Sequence, residues 1–254
     1  MTDTDTGTRP GKTLVAPSRK LEWSAPIRWL KLGWQDYKNA PRLSIEYGLF
    51  FAVGGLVLTV LIMLFGDKIL LFSLGGLFVL LGPLFAFGLY DVSRQLQKGE
   101  TPTLRHSIGQ IRSSAPNQWV FAVVVIVVAL VWMRAATIIT IFYPDDPEPA
   151  LEELLTFFAI GTGAGAFFAG LVFGISAFSL PMMVDRNVDA ITASLTSLSA
   201  VLNNTGVAIF WGFLIVLLVT LGFATLYLGL ILVLPLIGYA TFHGYRDTIP
   251  RQTV

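Results

Sequence analysis

No cysteine occurs in the 254 residues. Its absence excludes disulfides, thiol nucleophiles and cysteine-held zinc or iron–sulfur centres. Histidine is nearly absent as well, with His106 and His243 the only two. Two imidazoles without a thiolate cannot supply the axial and copper ligands of a haem–copper oxidase. Charge is scarce: 13% of residues are charged and 54% are hydrophobic. An ordinary soluble domain carries about 25% charged residues. A phosphate-binding P-loop and a G-x-G-x-x-G turn are also lacking, and "GTGAGA" sits inside an apolar run with no strand before it. No Ser-His-Asp arrangement and no pair of carboxylates within an apolar run suggests catalysis or proton relay. The expectation is a protein that is not an enzyme and needs no cofactor or metal.

What the chain does have is long apolar runs, several exceeding the roughly 20 residues that cross a bilayer. They fall at about Ser44 to Phe65, Ile69 to Tyr90, Trp119 to Phe142 and Phe157 to Met183. The stretch from Val207 to Phe242 is too long for one crossing. It fits two, with the break near Gly222-Phe223-Ala224-Thr225. The first 20 residues are polar and lack the apolar core of a cleavable signal. Residues 1–25 therefore read as a disordered cytoplasmic tail, and 26–250 as one six-helix membrane domain.

Orientation follows from lysine and arginine. Eight precede the first run: Arg9, Lys12, Arg19, Lys20, Arg28, Lys31, Lys38 and Arg42. Arg94, Lys98, Arg105, Arg112, Arg186, Arg246 and Arg251 join them on one side, and Lys68 stands alone opposite. The far side also carries the acidic loop "YPDDPEPALEEL". Fifteen against one puts both termini in the cytoplasm of a bacterial cell, with the spans in its inner membrane. Topology accounts for the basic residues, so nucleic acid is not an expected partner; the lipid bilayer, other membrane subunits or a second copy are.

Three cytoplasmic stretches carry amphipathic periodicity. Ile27, Leu30, Trp34 and Tyr37 share one helical face; so do Leu104, Ile108 and Ile111, and so do Val188, Ile191, Leu195, Leu198 and Leu202. Each stretch is expected to be a separate interfacial helix with its apolar face towards lipid. Thr101 is the expected cap of the second. Asn39-Ala40-Pro41, Ala115-Pro116-Asn117 and Asn203-Asn204 punctuate their ends. The fold class is thus an all-α membrane protein: six spans as three hairpins, each preceded by an interfacial helix. The units 26–100, 101–185 and 186–247 form candidate parallel repeats. Pro83, Leu84, Phe87, Gly88, Tyr90 and Arg94 recur, at the same offsets, as Pro235, Leu236, Tyr239, Ala240, Phe242 and Arg246. The span ending in Pro181 and Arg186 does not share the pattern.

Candidate functional or partner-contact residues are few. Arg134 is the one charge well inside a span, and a guanidinium there costs at least about 2.5–3.5 kcal/mol on insertion scales. It either binds an anion, a headgroup or a partner, or snorkels and pairs with Asp145, Asp146, Glu148, Glu152 or Glu153. Asp91, Arg94, Asp185, Arg186, Asp189, Arg246 and Asp247 form a charged belt, serving as salt bridges and caps or as the floor of a binding site. Gly161, Gly165, Gly170 and Gly174 let helix backbones approach closely.

"FGLYDVSRQLQKGE", "VWMRAAT", "PMMVDRNVDAITASLTSLSAVLNN" and "ATFHGYRD" together resemble a mainly proteobacterial family of integral membrane proteins of unknown function with six spans. The resemblance covers roughly residues 40 to 250 and brings no catalytic residues. Some members are labelled cytochrome oxidase subunit I, a label that these two histidines do not support. It leaves open an accessory role beside a respiratory enzyme. The leading functional expectation is a structural, accessory or assembly factor for a membrane complex. The alternative is a transporter or channel for a small or amphiphilic solute, with Arg134 and the span-four glycines lining its path.

Overall fold

The computed structural model describes residues 15–65, 86–144, 149–186 and 188–251, and among these every regular element is helical. Helix α1 is Ala25–Asn39, α2 Pro41–Phe65, α3 residues 86–97, α4 Leu104–Ile139 and α5 Leu151–Ser176. Then come α6 Ser179–Asp185, α7 Ala190–Asn203, α8 Thr205–Ala224 and α9 Leu230–Thr248. Among the described residues, four stretches are long and apolar enough to cross a membrane: Pro41–Leu61, Pro116–Ile139, Leu151–Asp185 and Thr205–Ala224. The run expected over Ile69 to Tyr90 lies outside the described residues as far as residue 85, as do Pro83, Leu84 and Lys68.

The break between the last two runs falls where expected. α8 stops at Ala224 and α9 starts at Leu230. Thr225 builds the reversal: its hydroxyl donates to the Gly222 carbonyl at 2.8 Å and accepts from the Gly229 amide at 2.7 Å. Leu226 and Tyr227 take positive φ angles of 52° and 69°, a conformation that costs non-glycine residues energy.

α5 and α6 are parted at Ala177–Phe178. Pro181 lies four residues after Ala177, so it can neither donate to that carbonyl nor avoid crowding it. Ser197 of α7 repairs the gap, accepting from the Phe178 amide at 3.0 Å and donating to the Gly174 carbonyl at 2.7 Å.

The punctuation at Pro116 behaves differently. α4 runs unbroken from Leu104 to Ile139 with Pro116 inside it. The separate interfacial helix expected before the third span is therefore the first part of one helix, about 54 Å long at 1.5 Å per residue. Neighbouring groups in a membrane helix can satisfy the carbonyl that a proline leaves. The cap is Thr103, not Thr101: its hydroxyl accepts from the His106 amide at 3.3 Å.

α9 is the central helix, with α1, α2 and α8 packed on it. Two glycines permit this. Gly33 of α1 rests on the backbone of Leu236 and Ala240, and Gly48 of α2 rests on Ile231. Between α1, α6, α8 and α9 lies an aromatic core. Trp29 meets Trp211 edge to face at 5.6 Å and Phe178 at 6.4 Å.

The amphipathic stripes face outward. Ile27 and Trp34 of α1, Leu104 and Ile108 of α4, and Ile191, Leu195 and Leu202 of α7 are all exposed. The bundle instead takes other faces: Ala25, Trp29, Gly33 and Asp36 in α1, and the small residues Ala190, Ala193, Ser197 and Ala200 in α7. α1 packs on α9, and α7 on α5 and α6. The start of α4 bonds to α3 through His106 and Ser107. Each of these three helices thus meets the last helices of a different hairpin unit.

The expected tail over 1–25 is described from residue 15, and there it is tied down. Ala16 N donates to Thr196 Oγ1 at 3.2 Å, Arg19 N to the Thr248 carbonyl at 2.8 Å, and Leu21 N to Asn204 Oδ1 at 2.9 Å. Asn204, at the joint of α7 and α8, returns a bond to the Arg19 carbonyl at 2.9 Å.

Candidate functional site: a buried polar layer at one end of the bundle

Tyr90 and Asp91 sit on α3, which ends at Gly99 with a φ of 74°. Glycine adopts that left-handed conformation without penalty. The helix therefore stops within two turns of Asp91, and its last turns present Asp91, Ser93, Arg94, Gln95 and Gln97 to four other helices, α1, α4, α6 and α9.

Asp91 is fully buried and accepts four bonds. Arg94 Nη2 reaches its Oδ1 at 2.6 Å; Gln95 Nε2, His106 Nδ1 and Ser107 Oγ reach Oδ2 at 2.8, 2.8 and 3.0 Å. Arg94 also donates through Nη1 to the Val184 carbonyl at 2.7 Å, tying α3 to α6. Its Nε is buried without a partner among the described residues. A buried ion is tolerated only when paired and hydrogen-bonded, and α3, α4 and α6 together provide that.

Asp185 closes α6 and is 1% exposed. Its Oδ2 takes bonds from Arg246 Nη1 at 2.8 Å and Tyr245 OH at 2.9 Å, and its Oδ1 from Arg251 Nη2 at 2.5 Å. Arg186 binds the same neighbours from the other side. Its Nε donates to Tyr245 OH at 2.6 Å, its Nη2 to the Ile249 carbonyl at 2.5 Å, and its guanidinium lies 5.4 Å from the Tyr245 ring centre. Burial, with Asp185 adding to it, holds the Tyr245 hydroxyl well above the ordinary tyrosine range. Asp247 points towards α1, accepting from Arg28 at 2.7 Å and from Trp29 Nε1 at 2.9 Å. That ion pair raises the Arg28 guanidinium further.

A third carboxylate, Asp36 of α1, has no counterpart among the sequence candidates. Its Oδ2 accepts from Ser93 Oγ at 2.5 Å and from His243 Nε2 at 2.8 Å. Gln97 Nε2 lies 3.3 Å from the other ring nitrogen of His243. An amide nitrogen only donates, so this network fits the neutral tautomer that carries its proton on Nε2. Asp36 and His243 are 207 residues apart, and no local pattern links them. The signal that was there is weak: Asp36 shares a helical face with Trp29 and Gly33, four and three residues apart.

The belt thus divides. Asp91 with Arg94 and Asp185 with Arg186 and Arg246 form one connected layer, and Asp247 joins it to α1. Asp189 stands apart as the cap of α7, accepting from the Thr192 amide at 2.8 Å. That backbone bond lowers its carboxyl below the usual range. A depressed pKa gives stability that is present above about pH 4 and fades as pH falls through the folded value. Asp189→Ala is expected to cost about 1 kcal/mol, the ordinary worth of such a cap, at neutral pH and nothing near pH 2; thermal unfolding at the two pH values checks this.

Arg134 is not part of the layer. It is exposed on α4, and no ion pair reaches it among the described residues. Asp145, Asp146 and Glu148, offered as partners, lie outside those residues. The glycine series divides too. Gly161 and Gly165 face Ile139 and Trp132 of α4, Gly174 faces Leu198 and Val201 of α7, and Gly170 meets nothing within 4 Å.

No group of three or more His, Asp or Glu side chains that could hold a metal ion occurs among the described residues. The chemistry the layer performs is mutual neutralisation: three buried carboxylates, each bonded by donors from at least one other helix.

Residues 70–185, just under half of the chain, match a family described as "Predicted integral membrane protein (DUF2189)". No curated protein and no solved structure matches the chain. The apolar helices and this similarity agree: the chain is an integral membrane protein that crosses the bilayer more than once, similar over residues 70–185 to a family of unknown function.

Proposed function

We propose that this protein is a non-enzymatic structural, accessory or assembly factor of a bacterial inner membrane, built as six spans in three hairpins with both termini in the cytoplasm. The observation that carries the reading is that Asp36, Asp91 and Asp185 are each bonded by the chain's own donors on other helices. A solute or proton site keeps polar groups open to its cargo; these are spent on joining helices. The aromatic core around Trp29, Trp211 and Phe178 adds support, since it packs the middle of the polar end with apolar side chains.

A transporter or channel is the competing reading. It requires a polar path along Arg134 and the α5 glycines. Gly161 and Gly165 face α4 side chains, and Arg134 lies on an exposed side of α4, so what supports that reading is Arg134 alone.

Two experiments bear on the proposal. The tagged chain, purified from native membranes in mild detergent and analysed by mass spectrometry, is expected to carry a specific membrane-protein partner, a respiratory enzyme among the candidates, at fixed stoichiometry. A chain that always runs alone contradicts the accessory role. For orientation, the cysteine-free background is useful: Lys98→Cys and Leu226→Cys are each made singly. An impermeant maleimide is expected to label Leu226→Cys from the periplasmic side and Lys98→Cys only after lysis, and the reverse pattern contradicts the assigned topology.

A further inference from the structure

α1, the start of α4, and α7 share an arrangement that packing alone does not require. Each has three faces, and at about 100° per residue these follow one another in the same rotational order. In α1 the packed face is Ala25, Trp29, Gly33 and Asp36; next comes the exposed apolar face with Ile27 and Trp34; then a polar face with Lys31 and Lys38. In α4 the order runs from Ser107, buried on Asp91, to Leu104 and Ile108, and then to Arg105 and Arg112. In α7 it runs from Ala193, Ser197 and Ala200 to Ile191, Leu195 and Leu202, and then to Thr192, Ser199 and Asn203.

The exposed faces carry no acid. Within α1 the one carboxylate is Asp36, turned inward onto Ser93 and His243. Neither residues 104–112 nor α7 contain Asp or Glu. Lys31, Lys38, Arg105 and Arg112 remain exposed, next to the apolar faces. Each helix also leads directly into a membrane span: α1 into α2 through Ala40, α7 into α8 through Asn204, and α4 without a break. An amphipathic helix so placed lies at the boundary between headgroups and acyl chains.

We propose that these helices form a collar that binds anionic phospholipid of the leaflet they border, the apolar faces of all three among the acyl chains and the basic faces of α1 and α4 on the phosphates. This rests on the membrane placement given under Proposed function and adds the partner's charge. Basic residues at an anionic surface contribute about 1 kcal/mol each, about fivefold, so four should produce clear selection.

The test uses the full purified chain, without any partner, in micelles containing equal amounts of phosphatidylglycerol and phosphatidylethanolamine, with bound lipids counted by native mass spectrometry. The native chain is expected to retain phosphatidylglycerol about tenfold or more over phosphatidylethanolamine. The quadruple variant Lys31→Gln, Lys38→Gln, Arg105→Gln, Arg112→Gln is expected to fall below about twofold. The charge-conserving set Lys31→Arg, Lys38→Arg, Arg105→Lys, Arg112→Lys should keep the preference, and it stands in if the neutral variant does not fold. A native ratio near one, a neutral variant that selects as before, or a charge-conserving variant that loses selection overturns the proposal. Because no partner protein is present, failure here is distinct from failure of the accessory role.

Discussion

Asp91→Ala is expected to destabilise the folded protein by about 3–5 kcal/mol, the usual result of removing one member of a buried ion pair. Asp91 is wholly buried and serves donors from α3 and α4, while its partner Arg94 reaches on to α6. Taking the carboxylate away leaves the Arg94 guanidinium buried without an opposite charge, and leaves Ser107 without its acceptor. Since folded proteins are stable by only about 5–15 kcal/mol in total, the variant should unfold about 6–20 °C early or be degraded in the cell. Asp247→Ala makes the contrast. Its partner Arg28 is about half exposed, so water can take over the ion pair; the buried Trp29 loses its acceptor, and about 1–3 kcal/mol is expected. Unfolding curves of the two variants in the same detergent compare them directly.

Gly48→Ala is the second large effect. A Cβ on Gly48 would stand 2.1 Å from the carbonyl oxygen of Ile231 and 2.7 Å from its Cα. Both atoms belong to the backbone of α9, which cannot rotate aside as a side chain can. The helices must separate, and the loss should reach or exceed the upper end of the 1–3 kcal/mol typical of overpacking. Gly170→Ala should cost nothing measurable, because nothing lies within 4 Å of its Cβ position. Gly161→Ala should likewise be near neutral, its nearest neighbour being an Ile139 methyl at 4.0 Å. If Gly161 and Gly170 proved the sensitive pair and Gly48 did not, the placement of α2 on α9 would be wrong.

These two cases show what could be read in advance. Spacing singled out the glycines of α5, because four-residue intervals are visible in a linear sequence. Gly48 has no such partner; its importance comes from Ile231, nearly two hundred residues away. The turn at Gly222–Thr225 was legible because chain length and apolarity together demanded a reversal. The three amphipathic helices were legible as stripes of large residues. Their packing faces were not, because against lipid the large side chains can face outward while small ones let backbones meet. Ala193, Ser197 and Ala200 are inconspicuous in the sequence, yet Ser197 bonds the Phe178 amide and the Gly174 carbonyl where α5 and α6 part. Proline as punctuation was right for Pro41, where α2 begins, and wrong for Pro116, which α4 carries inside it.

The belt was partly legible for the same reason. Asp91 and Arg94, or Asp185 and Arg186, stand out where apolar runs end. Which of them meet depends on tertiary structure: Arg94 bonds α6, Arg246 reaches back to Asp185, and Asp36 meets His243 across α1 and α9. Asp189 takes the capping role among those offered, its bond local to α7.

The central claim is that this layer holds helices together and is not open to a cargo. A double-mutant cycle between Asp91→Leu and Arg94→Met, read as unfolding free energy in mixed micelles, tests it most directly. Apolar residues of similar size replace a structural buried pair with little loss. The double variant still leaves the buried Ser107 and Gln95 without their acceptor but holds no unpaired charge, so it should be more stable than Asp91→Leu alone, giving a coupling of about 3 kcal/mol or more. A double variant whose loss equals the sum of the two single losses, with coupling below about 0.5 kcal/mol, would contradict it.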